Sequence, residues 1–256
     1  MRLLLFLLIL ALPSISCAQL NPTEIQKNLR ANEVRFQALV KEKRTAYMEF
    51  RMRAKKADAE EKSFSAIRFV NEAQDIFIDD AALHYIKGKA YARLEKIDLA
   101  IENYERAIKL NPMDLPLLAE LIEINYFSGR YKETLKWIDH IEKVFALNAK
   151  LIVPPLINFK KLICMEKLKS DEKEMAKLRK KYTYLDSTPF YYFSVALDEF
   201  KKGKRDEAMI WIAKASYIFM ENSDNVFAWS KAMIDAGYVE KHEILLTPAY
   251  DAFLDN

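Results

Sequence analysis

The apolar positions of this chain recur at helical intervals almost from end to end. Between residues 23 and 45 they fall at Ile25, Leu29, Phe36, Leu39 and Val40, which places them along one side of a helix. Pro22-Thr23 supplies a start signal. No glycine or proline occurs between Thr23 and Gly88. The spacing therefore predicts a long N-terminal helix over 19–46 that runs on toward Ala57 and packs against the helices after it. Asn32, Lys43 and Arg53 would sit on a heptad seam, which argues against a coiled coil. Strand-like alternation is scarce.

The most informative stretch is 81–114, AALHYIKGKAYARLEKIDLAIENYERAIKLNPMD. Its landmarks are Gly88-x2-Tyr91, then Ala100-x3-Tyr104-x2-Ala107, then Pro112. Two antiparallel helices that pack closely need such residues. Gly88 and Ala100 lack bulk and let the backbones approach, Tyr91 and Tyr104 fill the flanks, and Ala107 is a small position facing the next helix. Pro112 has no N–H and stops the second helix, with Asn111 before it biased out of helical geometry. The pattern resembles a tetratricopeptide repeat (TPR), a 34-residue helix–turn–helix unit that stacks into solenoids.

A 34-residue ruler laid from residue 81 extends the pattern both ways. In 47–80, Phe50, Ala54 and Ala57 face inward, and Ala66, Val70 and Ala73 take the places of Ala100, Tyr104 and Ala107. In 115–148, Gly129 marks the turn and Thr134 stands where the small alanine would be. Residues 149–188 read as an irregular unit of 40 residues, with Pro154-Pro155 opening one helix and Ser170-Asp171 the cap before EKEMAKLRKKY. Units 189–222 and 223–256 return to register, the last as a C-terminal cap interrupted by Pro248. Gly88, Gly129, Gly203 and Gly237 all land on repeat positions. The resemblance implies an all-α, TPR-type right-handed superhelical solenoid of antiparallel helix pairs over 47–256, preceded by the N-terminal helix.

Composition agrees. Apolar residues make up 51% of the 256, enough for a sizeable core, and only 4 glycines and 8 prolines occur. A formal charge of +3 gives no reason to expect nucleic acid. Residues 1–18 read as a signal peptide: Arg2, an apolar run from Leu3 to Leu12, and Ser16-x-Ala18 before Gln19. The expectation is a periplasmic or secreted protein of bacterial origin. Cys17 is a candidate lipidation site, which makes a membrane-anchored lipoprotein the alternative. Either way Cys164 is left without a disulfide partner, and its apolar neighbours predict a buried structural thiol.

The resemblance also implies where function would sit. First helices line a concave surface through the second, fifth, ninth, twelfth and thirteenth positions of each unit. These include Tyr85, Lys89 and Arg93, then Glu123, Tyr126 and Phe127, then Phe190, Phe193, Leu197 and Phe200. Aromatics there suit an apolar peptide or helix of a protein partner; the same rings could instead pack between units. The ninth positions, Lys55, Lys89, Glu123 and Leu197, lack the asparagine of carboxylate-clamp repeats. The basic run Lys173, Lys177, Arg179, Lys180 and Lys181 reads as a solvated face, or as a contact for an acidic partner or anionic headgroups.

His84, His140 and His242 lie in different units, and no GxSxG, HExxH, P-loop or CxxC occurs. The expectation is a non-enzymatic scaffold with no cofactor and no metal. Its rivals are a lipid-anchored subunit of an outer-membrane assembly complex, a self-associating structural protein, and a site hidden between repeats.

Overall fold

A helix needs an end as well as an apolar face, and the repeated form of that end organises this fold. The computed structural model describes residues 21–147, 151–220 and 223–245. Among them are thirteen helices and no strand. A leading helix α1 (Pro22–Gln37) precedes six antiparallel pairs: α2 (Lys41–Ala59) with α3 (Ser63–Gln74), α4 (Ala81–Arg93) with α5 (Ile97–Leu110), α6 (Leu115–Phe127) with α7 (Tyr131–Ala146), α8 (Pro155–Lys167) with α9 (Glu172–Arg179), α10 (Phe190–Lys201) with α11 (Arg205–Ile218), and α12 (Ser223–Asp235) with α13 (Lys241–Leu245).

Each first helix of a pair stops in the same way. Two residues past its end the backbone turns left-handed, at Glu61, Glu95, Gly129, Lys169, Gly203 and Gly237, with φ between 52° and 74°. The next residue then donates its N–H five residues back. The six bonds are Lys62 to Ala57, Lys96 to Tyr91, Arg130 to Asn125, Ser170 to Met165, Lys204 to Glu199 and Tyr238 to Met233, all 2.8–3.0 Å. This is the Schellman turn, which satisfies carbonyls that a helix end leaves without partners. These six are all the positive-φ residues among those described.

The turns also correct the repeat frame. They stand 34 residues apart except between Gly129 and Lys169, which are separated by 40. The unit expected as a distorted 149–188 is therefore a regular unit, 155–188, preceded by six inserted residues. Pro155 opens α8 at its first turn, where proline's missing N–H leaves no hydrogen bond unmade. Its partner α9 ends at Arg179 rather than continuing to Tyr182.

The N-terminal helix differs too. It breaks over 38–40 and α2 begins at Lys41, with no glycine or proline at the break. Arg44 donates through Nη1 to the Gln37 carbonyl at 3.0 Å and to its Oε1 at 2.8 Å, capping the end of α1. The bend lets Phe36 turn inward onto Tyr47 and Phe77, with ring centroids 4.9 and 5.4 Å away.

Within the pairs, small residues permit the close contacts that the pattern predicts. Ala54, Ala66, Ala73, Ala100, Ala107, Ala196, Ala208 and Ala215 are fully buried. Gly88 lies flat against the Tyr104 ring, and a Cβ there would collide with it. Thr134, in the place of an alanine, is buried without penalty because its hydroxyl donates to the Arg130 carbonyl at 2.9 Å.

Urea unfolding of three variants tests the turns and the close contact. Gly88→Ala overpacks the Tyr104 contact and is expected to cost about 1–3 kcal/mol. Gly129→Ala forces a side chain into left-handed geometry and is expected to cost about 1 kcal/mol, whereas Glu95→Gly relieves the same strain and raises stability or leaves it unchanged. A loss on Glu95→Gly as large as that on Gly129→Ala would contradict the turn as the organising element.

Candidate functional site

The first helices carry the expected groove positions, and the structure treats the two halves of that groove differently. In the C-terminal half it is filled by the chain itself. Helix α12 crosses back over earlier first helices. Trp229 is buried with its ring 5.2 Å from Phe159, 5.9 Å from Phe193 and 6.1 Å from Phe190. Tyr126, from α6, donates its hydroxyl to the Ala232 carbonyl of α12 at 2.7 Å, across 106 residues of sequence. Leu197 is buried in the same cluster, and Tyr182 stacks on Phe190 at 3.8 Å.

Of the two readings open for Tyr126, Phe190, Phe193 and Leu197, contact with a partner or packing between units, the structure shows packing: they face their own chain. The physical reason is area: rings this large are costly to leave in water. Curvature brings α12 within reach to cover them. Phe200 is half-buried at the far rim, 5.7 Å from Tyr238 and 5.6 Å from the Arg205 guanidinium.

The N-terminal half stays open and polar. Lys89 and Arg93, one turn apart on α4, both reach Asp58 at the end of α2, at 3.0 and 2.8 Å. Lys89 also lies over the Tyr85 ring at 5.6 Å. Tyr85 is half-buried and its hydroxyl points at Glu120, 3.4 Å away. Burial pushes this phenol up to about 12, with the nearby charges of Glu120, Asp114 and Asp58 acting the same way. Glu123 pairs with the buried Lys160 of α8, whose ammonium also lies 5.3 Å from the Tyr126 ring. Phe127 is 60% exposed, with the Lys231 ammonium 5.5 Å from its ring. Of the ten positions, Tyr85, Lys89, Arg93, Glu123 and Phe127 line accessible surface; four are enclosed, and Phe200 sits at the rim.

Sequence reasoning missed Phe159, Trp229 and Asp80. Phe159 is the fifth residue of its unit once the six-residue insertion is recognised, so the correct frame would have found it. Asp80 ties α2 to α4. It accepts from the Tyr47 hydroxyl at 2.5 Å, Arg51 Nε at 2.7 Å and the Ala82 N–H at 2.8 Å. Burial works to raise its pKa, but these hydrogen bonds and the Arg51 charge outweigh it and hold the carboxyl below its ordinary value. Cys164 is buried, and burial pushes its thiol up to about 12 against the pull of Thr134 and Lys160, which leaves almost no nucleophilic thiolate at neutral pH. Cys17 and Pro248 lie outside the described residues. Among the described ones, no group of three or more metal-binding side chains gathers.

The tetratricopeptide repeat family model matches residues 81–114. Over 47 residues the chain is 47% identical to a TPR repeat-containing protein of Methanocaldococcus jannaschii; the match covers 18% of this chain and 14% of that relative's length. Among solved structures, MamA MSR-1 aligns with a TM-score of 0.50 and 17% identity, over 69% of this chain and 98% of the MamA chain. Pseudomonas aeruginosa PilF aligns with a TM-score of 0.47 and 12% identity, over 84% of this chain and 99% of the other. The MamA likeness shows a shared fold of stacked helix pairs.

Asp80 and Cys164 each support a measurement. A carboxyl with a depressed folded pKa stabilises fully above its unfolded value, and that contribution fades as pH falls through the folded one. Asp80→Asn is therefore expected to lower stability at pH 7, with the gap to wild type closing below about pH 4; a constant gap down to pH 2 would contradict the assignment. Cys164 is expected to react with Ellman's reagent only as fast as the protein unfolds.

Proposed function

We propose that this chain, a tetratricopeptide-repeat protein, is a non-enzymatic scaffold of the bacterial envelope that holds a protein partner on the N-terminal half of its concave face. The observation that carries the reading is the contrast within one groove. At Tyr126, Phe190, Phe193 and Leu197 the chain's own packing, α12 included, covers the side chains. From Asp58 through Tyr85, Lys89 and Arg93 to Phe127, they remain accessible. An array of ion pairs around half-buried and exposed aromatics suits a peptide or helix that exchanges hydrogen bonds with the groove and lays apolar side chains on its rings.

Envelope placement is supported by residues 1–18, with their single arginine, apolar run and small-residue cleavage site. Cys17 favours a lipid-anchored version of the same scaffold, an assembly-complex subunit held at a membrane. Intact mass separates the two: a mature start at Gln19 removes the lipid-anchored reading.

Photo-crosslinking in the native host tests the groove. Benzoylphenylalanine at Phe127 and at Lys89 is expected to capture one defined protein. The same probe at Phe64, 77% exposed on the second helix α3, is expected not to capture it. Equal capture at all three positions, or none at the groove positions, would overturn the proposal.

A further inference from the structure

A cleft of about 480 Å³ opens between α1 and the first helices of the first three pairs, a size within the ordinary range for a ligand pocket. We infer that it receives a lysine or arginine side chain from an apolar segment of the partner protein. This rests on the concave-face reading and names the chemistry of the partner at one end of that face.

The lining is amphipathic. Leu29 and Phe36 come from α1, Met48 from α2 and Leu117 from α6. Against them stand four carboxylates, Glu33, Asp79, Asp80 and Asp114, and one cation, Arg51. Two of the carboxylates are already satisfied: Asp80 by Arg51 at 2.7 Å, and Asp79 by Arg35 at 2.8 Å. Glu33 and Asp114 pair with no lysine or arginine among the described residues. Asp114 caps α6, accepting from the Leu117 N–H at 3.1 Å and from Asn111 at 3.3 Å, and these neutral donors leave its charge in place. Tyr85 lines the same cleft, and the charge of Asp114 is among the causes that raise its pKa, so the negative potential reaches its hydroxyl.

The ligand's chemistry follows from both features. A long basic side chain lays its methylene stem on apolar surface and presents its charge to a carboxylate, which matches a cleft with apolar walls and two uncompensated acids. An acidic segment would meet like charge, and a purely apolar one would bury the charges of Glu33 and Asp114 without a counter-charge. The potential is local, because the whole chain is positive at +3. A basic ligand is therefore not drawn to the protein at large.

The test is fluorescence anisotropy on the full folded chain. The probes are a fluorescein-labelled lysine–leucine amphipathic peptide and its glutamate–leucine counterpart. The basic peptide is expected to bind, more weakly as salt rises, and the acidic one not to bind. Glu33→Lys is expected to weaken binding about tenfold, as reversal of a contacting charge does. Glu33 is exposed and α1 buries none of its residues, so the fold tolerates this change. Glu207→Lys, on exposed surface of α11, makes the same change in net charge and is expected to have no effect. Failure of the basic peptide to bind, equal binding of the acidic one, or equal effects of the two reversals would overturn the inference. A crosslinking probe at Met48 separates the two levels: capture at Phe127 without capture at Met48 removes the cleft and keeps the concave-face reading, while loss at both removes both.

Discussion

The left-handed turn between paired helices is the constraint on which the rest of the structure depends. A helix end leaves carbonyls without partners, and each of the six first helices satisfies them with the same backbone bonds. Because the turn is built from backbone alone, it takes the same left-handed conformation whether glycine, glutamate or lysine occupies it. Every first helix is thus delivered to the same side of the molecule. The small residues then decide how closely each pair can approach. Gly88 against Tyr104 is the tightest case, and Ala100 and Ala107 continue the same seam.

Repetition of one turn has a consequence at the scale of the helix stack. Stacked pairs that share a turn curve consistently, and a curved stack eventually brings a late unit back toward an early one. Here α12 returns to α6 and α8. The bond from Tyr126 to the Ala232 carbonyl and the Trp229 ring among Phe159, Phe190 and Phe193 lock this closure. Among the described residues, the inner surface is consequently split into an enclosed half and an accessible half.

Much of this architecture is legible in the residues, and the parts that are not have physical causes. Gly129, Gly203 and Gly237 mark their turns because left-handed backbone favours glycine. Glu61, Glu95 and Lys169 adopt the same geometry with no such mark, since local hydrogen bonds there outweigh a strain of about 1 kcal/mol. Without Lys169 as a landmark the inserted six residues blur into a 40-residue unit. The break at 38–40 is equally silent, because it depends on Arg44 and on the pocket that Tyr47 and Phe77 offer Phe36, contacts made by folding and not by local propensity. Curvature is the deepest omission: a 34-residue period fixes which residues face inward but says nothing about whether the inward face meets solvent or its own C-terminal helix.

A contrast nevertheless distinguishes the two halves of the groove. The inward phenylalanines at 159, 190 and 193 are covered by the chain itself, while Phe127 stays 60% exposed at the border of the covered half. An inward position carrying Lys89, Arg93 or Glu123 needs only an ion partner or water. With the six inserted residues allowed for, the inward residues of the fourth and fifth pairs include Phe159, Ile163, Phe190, Phe193 and Leu197, all buried, whereas those of the first and second include Met48, Arg51, Lys55 and Lys89, which are partly or fully exposed. The chain thus encodes its closure in the residues that demand cover, and its open surface in those that do not. The ion pairs of the open half hold its side chains in place without filling the groove, so an accessible surface can persist beside a core that is made from the same repeat.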